Sequence, residues 1–407
     1  ATIRRQRQMC IRDRHGPGGP SRARARRHRG SRVTGLRLDV DLGRIAANTR
    51  VLVDRCSERD ITVTAVTKAM LGAPELARSL DGIEALGDSR IENIERMRAA
   101  GIESSMLLLR SPIPSQIERV VAADVTSVNT EVDVLTALST VARSLGCVHD
   151  VLLMVELGDL REGVMPAALH ETVRHVLQLP NIRLQGLGAN LACRSGIEPN
   201  RDNMAALSSI VDAVETTFGI EIATVSGGNS ANLVWALGAN ETGRVNNLRL
   251  GESILLGREP LHRRPIAGLH TTAFTLVAEV IECNRKPTKP WGVAGQSAFG
   301  ELPAGKDRGE IWQTILAVGR QDTDIDDLRA PDGVEILAGS SDHLVTATSS
   351  RRRPGEEISF EVGYSALLRS MTSPFVIKHL RDGPCRSQQQ ATAVSYTHLT
   401  LPTNGCV

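Results

Sequence analysis

The chain has 407 residues, of which 41% are hydrophobic and 23% charged, so it is long enough to bury a large core, most readily in two domains. No apolar run approaches the roughly 20 residues that a membrane-spanning helix needs. Eleven arginines and one aspartate give residues 1–35 a charge of +10, which leaves −8 for the rest of the net +2. We therefore expect neither a membrane protein nor a nucleic-acid-binding surface.

The seven cysteines are scattered and never form a CxxC pair. This usage is typical of a reducing compartment and predicts no structural metal site. The start of the chain has no apolar segment of the kind found in secretory signals. We expect a cytoplasmic protein.

Both ends of the chain differ in amino-acid composition from the rest of it. Residues 1–33 are rich in Arg, Gly and Pro, and the segments Met9–Arg14 and Ala393–Asn404 resemble translated sequencing-adaptor read-through. We expect residues 1–34 and 383–407 to be non-native tails. A transit peptide or a nucleic-acid-binding arm is the alternative for the basic start.

From Ile61 onward, segments of strand character alternate with segments of helical period. The predicted strands are Ile61–Met70, Gly82–Leu86, Met106–Arg110, Val125–Val128, His149–Glu156, Arg183–Gly188, Ile222–Val225 and Asn247–Leu250. The predicted helices between them are Ala73–Leu80, Arg90–Ala100, Pro114–Ala122, Glu131–Leu145, Pro166–Leu179, Asp202–Phe218 and Ala231–Leu237. This alternation predicts an α/β fold, a parallel (β/α)8 barrel over residues 35–260, with an open doubly wound sheet as the alternative.

After Gly257 the long helical patterns disappear, and residues 261–382 predict a C-terminal, mainly β domain. Its predicted strands are Phe274–Ile281, Ile311–Val318, Val334–Leu337, Leu344–Thr348 and Ile358–Val362. The alternating segment Leu36–Leu42 precedes a helical pattern over Gly43–Cys56 and is expected to join the sheet of this domain.

Lys68 follows the apolar run of the first barrel strand, where the run stops. In parallel barrels the carboxyl ends of the strands carry the chemistry. A lysine that loses hydration there offers its amine as a nucleophile toward a carbonyl substrate or pyridoxal 5′-phosphate (PLP). An ordinary exposed lysine at a strand end is the alternative.

Two glycine-containing segments follow the last two barrel strands. Ser226–Ser230 reads SGGNS, and its glycines let the backbone approach a ligand at a helix N-terminus, which suits an anion. Arg249–Glu252 ends the eighth strand, where Gly251 allows a second close approach. A Gly-rich turn and an arginine paired with a barrel carboxylate are the alternatives.

These motifs, taken in order, resemble the fold-type III PLP enzymes, and most closely the alanine/ornithine racemase family. The resemblance rests on VTK at Lys68, ELGDLREGV at Glu156–Val164, GANLAC at Gly188–Cys193, SGGNS, and LRLGESILLG at Leu248–Gly257. It continues in the β domain and covers residues 36–380.

The resemblance implies a role for each matched residue. Lys68 forms the aldimine with PLP and serves as a base on one face of the substrate α-carbon. Arg249 faces the pyridine nitrogen, Arg161 lies near the cofactor hydroxyl and the substrate carboxylate, and Asn190 contacts the ring. The phosphate is held by Ser226, Gly227, Gly228, Asn229, Ser230, Gly251 and Glu252.

Racemisation also needs an acid/base group on the opposite face of the α-carbon, and here the sequence departs from the alanine racemase pattern. The segment that aligns with the family's tyrosine motif, Pro290–Gly295, contains no tyrosine. We prefer His343, with Asp342 beside it, because histidine titrates in the required range. Cys193 and Tyr364 are further candidates. Asp342 is also a candidate, with Asp322, for binding a distal amine of a diamino acid.

We therefore expect a PLP-dependent amino-acid racemase that acts on ornithine or a related small amino acid. The family geometry implies a head-to-tail homodimer in which the partner's β domain completes each site. A non-catalytic PLP-binding protein, or another fold-type III enzyme such as a decarboxylase or D-threonine aldolase, is the alternative. No metal ligand set is expected from the residue spacing.

Overall fold

A computed structural model of the protein describes residues 35–381, except residues 81, 240, 294, 298 and 301–306. The two segments expected to be non-native tails, residues 1–34 and 383–407, lie outside the described residues. Helices and strands begin with β1 (Arg37–Asp41) and end with β16 (Ile377–Arg381). None of the described helices is long and apolar enough to cross a membrane.

Eight parallel strands of the described chain close into a barrel, as predicted. They are β2 (Thr62–Val66), β3 (Ala85–Asp88), β4 (Ser105–Leu108), β5 (Thr126–Asn129), β6 (His149–Val155), β7 (Ile182–Ala189), β8 (Thr224–Asn229) and β9 (Asn247–Leu250). Each strand pairs with the next in the chain, and β9 pairs with β2 to close the ring. This last pairing rules out the open doubly wound sheet.

The helices that surround the barrel have apolar residues on one face, which they bury. They are α1 (Leu42–Ser57), α2 (Pro74–Arg78), α3 (Ile91–Ala99), α4 (Ile117–Ala122), α5 (Val132–Leu145), α6 (Pro166–Gln178), α7 (Arg201–Phe218), α8 (Leu233–Ala236) and α9 (Glu252–Leu256). The longest, α7, begins at a capping box between Asn200 and Asn203 and ends at Gly219 in the left-handed conformation.

The barrel interior is filled by a small apolar cluster that is separate from the main core. Leu107, Val128, Leu152 and Met154 form it, and Leu109 packs against it. Because successive residues of a strand point to opposite faces, their neighbours face the helices and join the main core.

The remaining strands form an eight-stranded sheet, mostly antiparallel, and α10 (Tyr364–Thr372) packs with it. They are β1, β10 (Phe274–Pro287), β11 (Glu310–Leu316), β12 (Leu328–Arg329), β13 (Val334–Gly339), β14 (Leu344–Thr348), β15 (Glu357–Val362) and β16. β1 pairs with β10 in antiparallel fashion and with β16 in parallel. The prediction that Leu36–Leu42 joins this sheet is confirmed.

Several predicted boundaries were wrong for physical reasons. β3 extends two residues past the predicted end at Leu86, because Gly87 and Asp88 also pair with β4. β10 continues past Ile281 to Pro287, since its polar second half pairs with β11 after a bulge. The helix α10 was missed, although Ala366, Leu367 and Met371 form its buried face.

Candidate active site

Lys68 lies at the carboxyl end of β2, in a tight turn. Thr67 anchors this turn, because its hydroxyl donates to Asp88 Oδ2 at 2.7 Å and its amide donates to Gly87 O at 2.8 Å. The turn Lys68–Met70 is a 3₁₀ helix that ends at Leu71 in the left-handed conformation. Lys68 is half-buried, and its side chain makes no hydrogen bond or ion pair with any residue that the structure describes.

A cavity of about 330 Å³ opens above the barrel cluster, and Lys68 lines it. The structure brings most of the predicted site residues to this one cavity. Those that line it together with Lys68 are Arg161, Asn190, Asn229, Ser230, Arg249, Gly251 and Glu252. They come from the carboxyl ends of five different barrel strands or from the segments that follow them, so the convergence is a property of the closed barrel.

Ser226, Gly227 and Gly228 do not line the cavity, although they belong to the same motif. Ser226 is buried and donates its hydroxyl to Asn247 Oδ1 at 2.6 Å. A Cβ on Gly228, whose φ is +150°, would lie 2.0 Å from Asn232 Oδ1. These residues shape the turn that presents Asn229 and Ser230, and their direct contact with a phosphate stays a prediction.

Two short helices begin side by side at one end of the cavity. Ser230 Oγ accepts hydrogen bonds from the amides of Gly251 and Ser253, both at 3.2 Å, and so holds the two helix starts together. The backbone amides of Ser230 and Glu252 stand at the first residues of these two helices. A Cβ on Gly251 would lie 3.1 Å from Val66 Cβ, so the chain is tightly packed behind this point. Such converging amides favour an anion.

Arg249 crosses the cavity floor as a buried cation with neutral partners. It is 6% exposed and donates to Ala189 O at 2.7 Å and to the hydroxyl of Ser226. It forms no ion pair with any residue that the structure describes. Burial lowers the pKa of Arg249 to about 10, so it stays charged at neutral pH. This guanidinium can donate a further hydrogen bond to an acceptor atom of a ligand in the cavity.

Asn190 and Asn229 form a polar pair on the cavity wall. Asn229 Nδ2 donates to Asn190 Oδ1 at 3.1 Å and to Leu191 O at 2.8 Å. Asn229 Oδ1 accepts from the amide of Ala231 at 2.8 Å. Asn190 Nδ2 is buried and has no partner in the described chain. A buried donor without an acceptor is costly, and it indicates a ligand at this wall.

Among the candidates for the second base, Cys193 and Tyr364 line the cavity. Tyr364 begins α10, which packs against the Lys68 turn. Burial raises the pKa of Tyr364 to about 12, with Glu252 adding to the effect, so the phenol holds its proton at neutral pH. The exposed Cys193 lies 3.4 Å from Asn229 Nδ2.

His343 and Asp342 do not line the cavity of their own chain. They lie in the turn between β13 and β14, 45% and 60% exposed, and His343 Nδ1 is 2.9 Å from Asp342 Oδ1. This contact lowers the pKa of Asp342. Asp322 is buried within the β domain, where Gly319 and Ser373 bond its carboxylate. The structure therefore gives no support to Asp322 as a substrate contact.

Glu162 and Arg263 also line the cavity, and sequence reasoning assigned neither of them. Glu162 forms an ion pair with Arg161, and Arg263 forms one with Glu252. Glu162 stands within the motif around Arg161, which could have drawn attention to it. Arg263 had no such signal, because it lies in an irregular segment and has a φ of +59°.

Comparison with known proteins identifies the family. A profile of the alanine racemase N-terminal domain matches residues 40–259. The chain belongs to this family. It is 36% identical over 351 residues to an ornithine racemase from Acetoanaerobium sticklandii, which covers 84% of this chain and 99% of that protein.

Two further proteins extend the comparison. A lysine racemase from Thermotoga maritima is 38% identical over 352 residues, or 84% of this chain and 97% of that protein. A solved alanine racemase from Streptomyces lavendulae superposes with a TM-score of 0.67 at 18% identity, covering 87% of this chain and 99% of the other. The barrel and the β domain together therefore have the alanine racemase fold.

Proposed function

We propose that the Lys68 cavity binds PLP and that the chain, an amino-acid racemase, acts on ornithine or a related amino acid. The observation that carries the proposal is the shared cavity of Lys68 and Arg249, a nucleophile and a buried cation without a carboxylate partner. The ornithine and lysine racemases, each more than one third identical to this chain, support the choice of substrate.

The residues present fit PLP at both ends of the cavity. The amides of Ser230 and Glu252 suit its phosphate. Arg249 would donate to the pyridine nitrogen, and because an arginine does not give up its proton, that nitrogen stays largely unprotonated. The unpartnered amide of Asn190 would find an acceptor on the cofactor. PLP supplies an electron-withdrawing ring that stabilises negative charge on the substrate α-carbon.

The chain's own residues would then move protons and hold the substrate. Lys68, whose side chain has no partner among the described residues, would take the α-proton on one face and return it. A second group must act on the opposite face. Cys193 and Tyr364 are in place within one chain, and burial raises the pKa of Tyr364 to about 12, so its phenol can donate a proton at neutral pH.

We further propose a homodimer in which the partner's β domain closes the cavity. Support comes from apolar side chains exposed on and beyond β10, with Trp291 at 86% and Ile281 at 45% exposure. The exposed turn with His343 would then be available to the other chain. In that arrangement His343 remains a candidate for the second base.

The test is to incubate the purified protein with PLP and a panel of L-amino acids in D₂O. We expect α-deuteration and formation of the D-isomer, fastest with ornithine or a close relative. Lys68→Ala should abolish both and should prevent borohydride from fixing PLP on the protein. The matched control is Lys286→Ala, which removes a lysine paired with Glu282 outside the cavity.

Two results would count against this function. If Lys68→Ala still carried reducible PLP, the assignment of Lys68 would fall. If PLP were fixed on Lys68 but no amino acid exchanged its α-proton, a PLP-binding protein or another fold-type III enzyme would be favoured. Activity that a chelator removes would point to the metal-dependent members of that group.

A further inference from the structure

Glu162 is a charged residue of the Lys68 cavity that the reaction described above does not use. We propose that Glu162 binds the distal ammonium group of a diamino-acid substrate, while its neighbour Arg161 binds the α-carboxylate. This inference rests on the proposed function and deepens it, because it names the residue that selects the substrate class.

Two carboxylates line the cavity among the described residues, Glu162 and Glu252. The side chain of Glu252 is 11% exposed and paired with Arg263, at the end that suits a phosphate. The side chain of Glu162 is 27% exposed and lies beside Arg161. Glu162 is therefore the more accessible of the two acids.

The loop that carries Arg161 and Glu162 is held rigidly. Leu160 on one side has a left-handed φ of +55°. Gly163 on the other has a φ of +151°, and a Cβ there would lie 2.5 Å from Glu156 N. Such conformations persist only where surrounding contacts hold them, and they are concentrated at functional sites.

The clamp on this loop is the fully buried carboxylate of Asp159. It accepts from the amides of Arg194 at 3.0 Å and Ser195 at 2.9 Å. The loops after β6 and β7 are thereby joined. The loop that carries the Arg161–Glu162 ion pair is therefore fixed at the cavity wall by the buried hydrogen bonds of Asp159.

Charge balance explains how this pair would select a substrate. In the free protein, Arg161 and Glu162 neutralise each other. A diamino acid offers a carboxylate to Arg161 and an ammonium to Glu162, so neither charge is left without a partner. An apolar amino acid would draw Arg161 to its carboxylate and leave Glu162 uncompensated in the cavity. Such an unpaired charge discriminates against the wrong ligand.

The experiment compares L-ornithine with L-norvaline, which has the same five-carbon chain but no distal amine. We expect Glu162→Gln to lower kcat/KM for ornithine by about tenfold to hundredfold, mainly through KM, because a hydrogen bond to a charged group is lost. Norvaline should be turned over as well or faster, because Glu162→Gln removes the charge that an apolar substrate leaves without a partner. Glu162→Asp should retain part of the preference for ornithine.

The matched control is Glu95→Gln, which removes a glutamate paired with Arg119 away from the cavity. It should leave both substrates unaffected. Equal losses on both substrates in Glu162→Gln would mean that Glu162 only positions Arg161, and unchanged ornithine kinetics would also overturn the proposal. If the wild-type protein racemises no amino acid, the proposed function itself is wrong. The wild-type assay shows this before any variant is made, so the two failures are distinguishable.

Discussion

At the scale of single residues, the cavity is lined by buried polar groups that lack an ion-pair partner or a hydrogen-bond acceptor in the described chain. Arg249 is buried without a carboxylate partner, and Asn190 Nδ2 is buried without an acceptor, among the residues that the structure describes. Each arrangement costs stability unless a ligand completes it. Both groups face the same cavity as Lys68, so one ligand can satisfy them together.

His149 is buried for a different reason and leads to a prediction about pH. It is 3% exposed, its Nε2 lies 2.8 Å from Ser127 Oγ, and burial lowers its pKa to about 4. The folded protein therefore binds fewer protons than the unfolded chain between about pH 4 and 6.5. Stability that is complete above pH 6.5 should decline as the pH falls toward 4.

The expected loss from this group is about 3 kcal/mol over that interval, at about 1.4 kcal/mol per pKa unit. Urea unfolding of wild type and His149→Gln at several pH values measures it, because glutamine keeps a polar contact without titrating. The variant should lose less stability than wild type on acidification. Parallel curves for the two proteins would show that His149 does not titrate as inferred.

At the scale of elements, the turn between β8 and the helix start at Ser230 depends on Gly228. No side chain fits there, because a Cβ would collide with Asn232 Oδ1, which accepts from the amide of Asn229 at 3.1 Å. The turn thus supports the start of a helix that lines the cavity. A change in the backbone at Gly228 should therefore shift Ser230 and weaken ligand binding in the cavity.

We expect Gly228→Ala to destabilise the protein by about 2–4 kcal/mol, from strain and overpacking together, and to weaken PLP binding. Gly219→Ala is the control, since Gly219 is also left-handed but has open space around it. That variant should cost about 1 kcal/mol and leave PLP binding unchanged. Equal destabilisation of the two variants in urea would refute the role of the collision.

At the scale of the whole molecule, the first and last described strands lie together. β1 and β16 pair in parallel, and the 5% exposed Asp39 binds side chains from both. Its carboxylate accepts from Arg37 at 3.1 Å and from Arg381 at 2.8 Å, and Asp39 Oδ1 lies 2.8 Å from His379 Nδ1. This network connects the strand before the barrel with the end of the β domain.

Asp39→Ala should lower the free energy of unfolding by about 2–3 kcal/mol, because it removes a buried carboxylate that connects the two strands, although Arg37 keeps its pair with Glu357. Asp212→Ala is a suitable comparison. It removes a 60% exposed partner of Arg244, which should cost about 1 kcal/mol or less. Thermal and urea unfolding measure both, and a difference smaller than the experimental error would contradict the importance of the network.

Much of the fold follows from local pattern. The alternation of apolar strands with helical periods, from Ile61 to Leu250, predicted the barrel, since each period reflects which faces are buried. The ends of strands that depend on pairing with another strand were harder to predict from the sequence. Nothing in the polar sequence after Ile281 indicates that β10 continues, because only its partner β11 provides the hydrogen bonds.

The sequence by itself determined the order of the motifs, the position of Lys68 at the end of a strand and the family that these features resemble. The tertiary structure alone decided which side chains share the cavity. It brought Tyr364, nearly 300 residues away in sequence, beside Lys68, and it left His343 outside. The physical reason is that periodicity reports burial along one element, whereas a site depends on contacts between elements distant in the chain, which closure of the barrel and docking of α10 create.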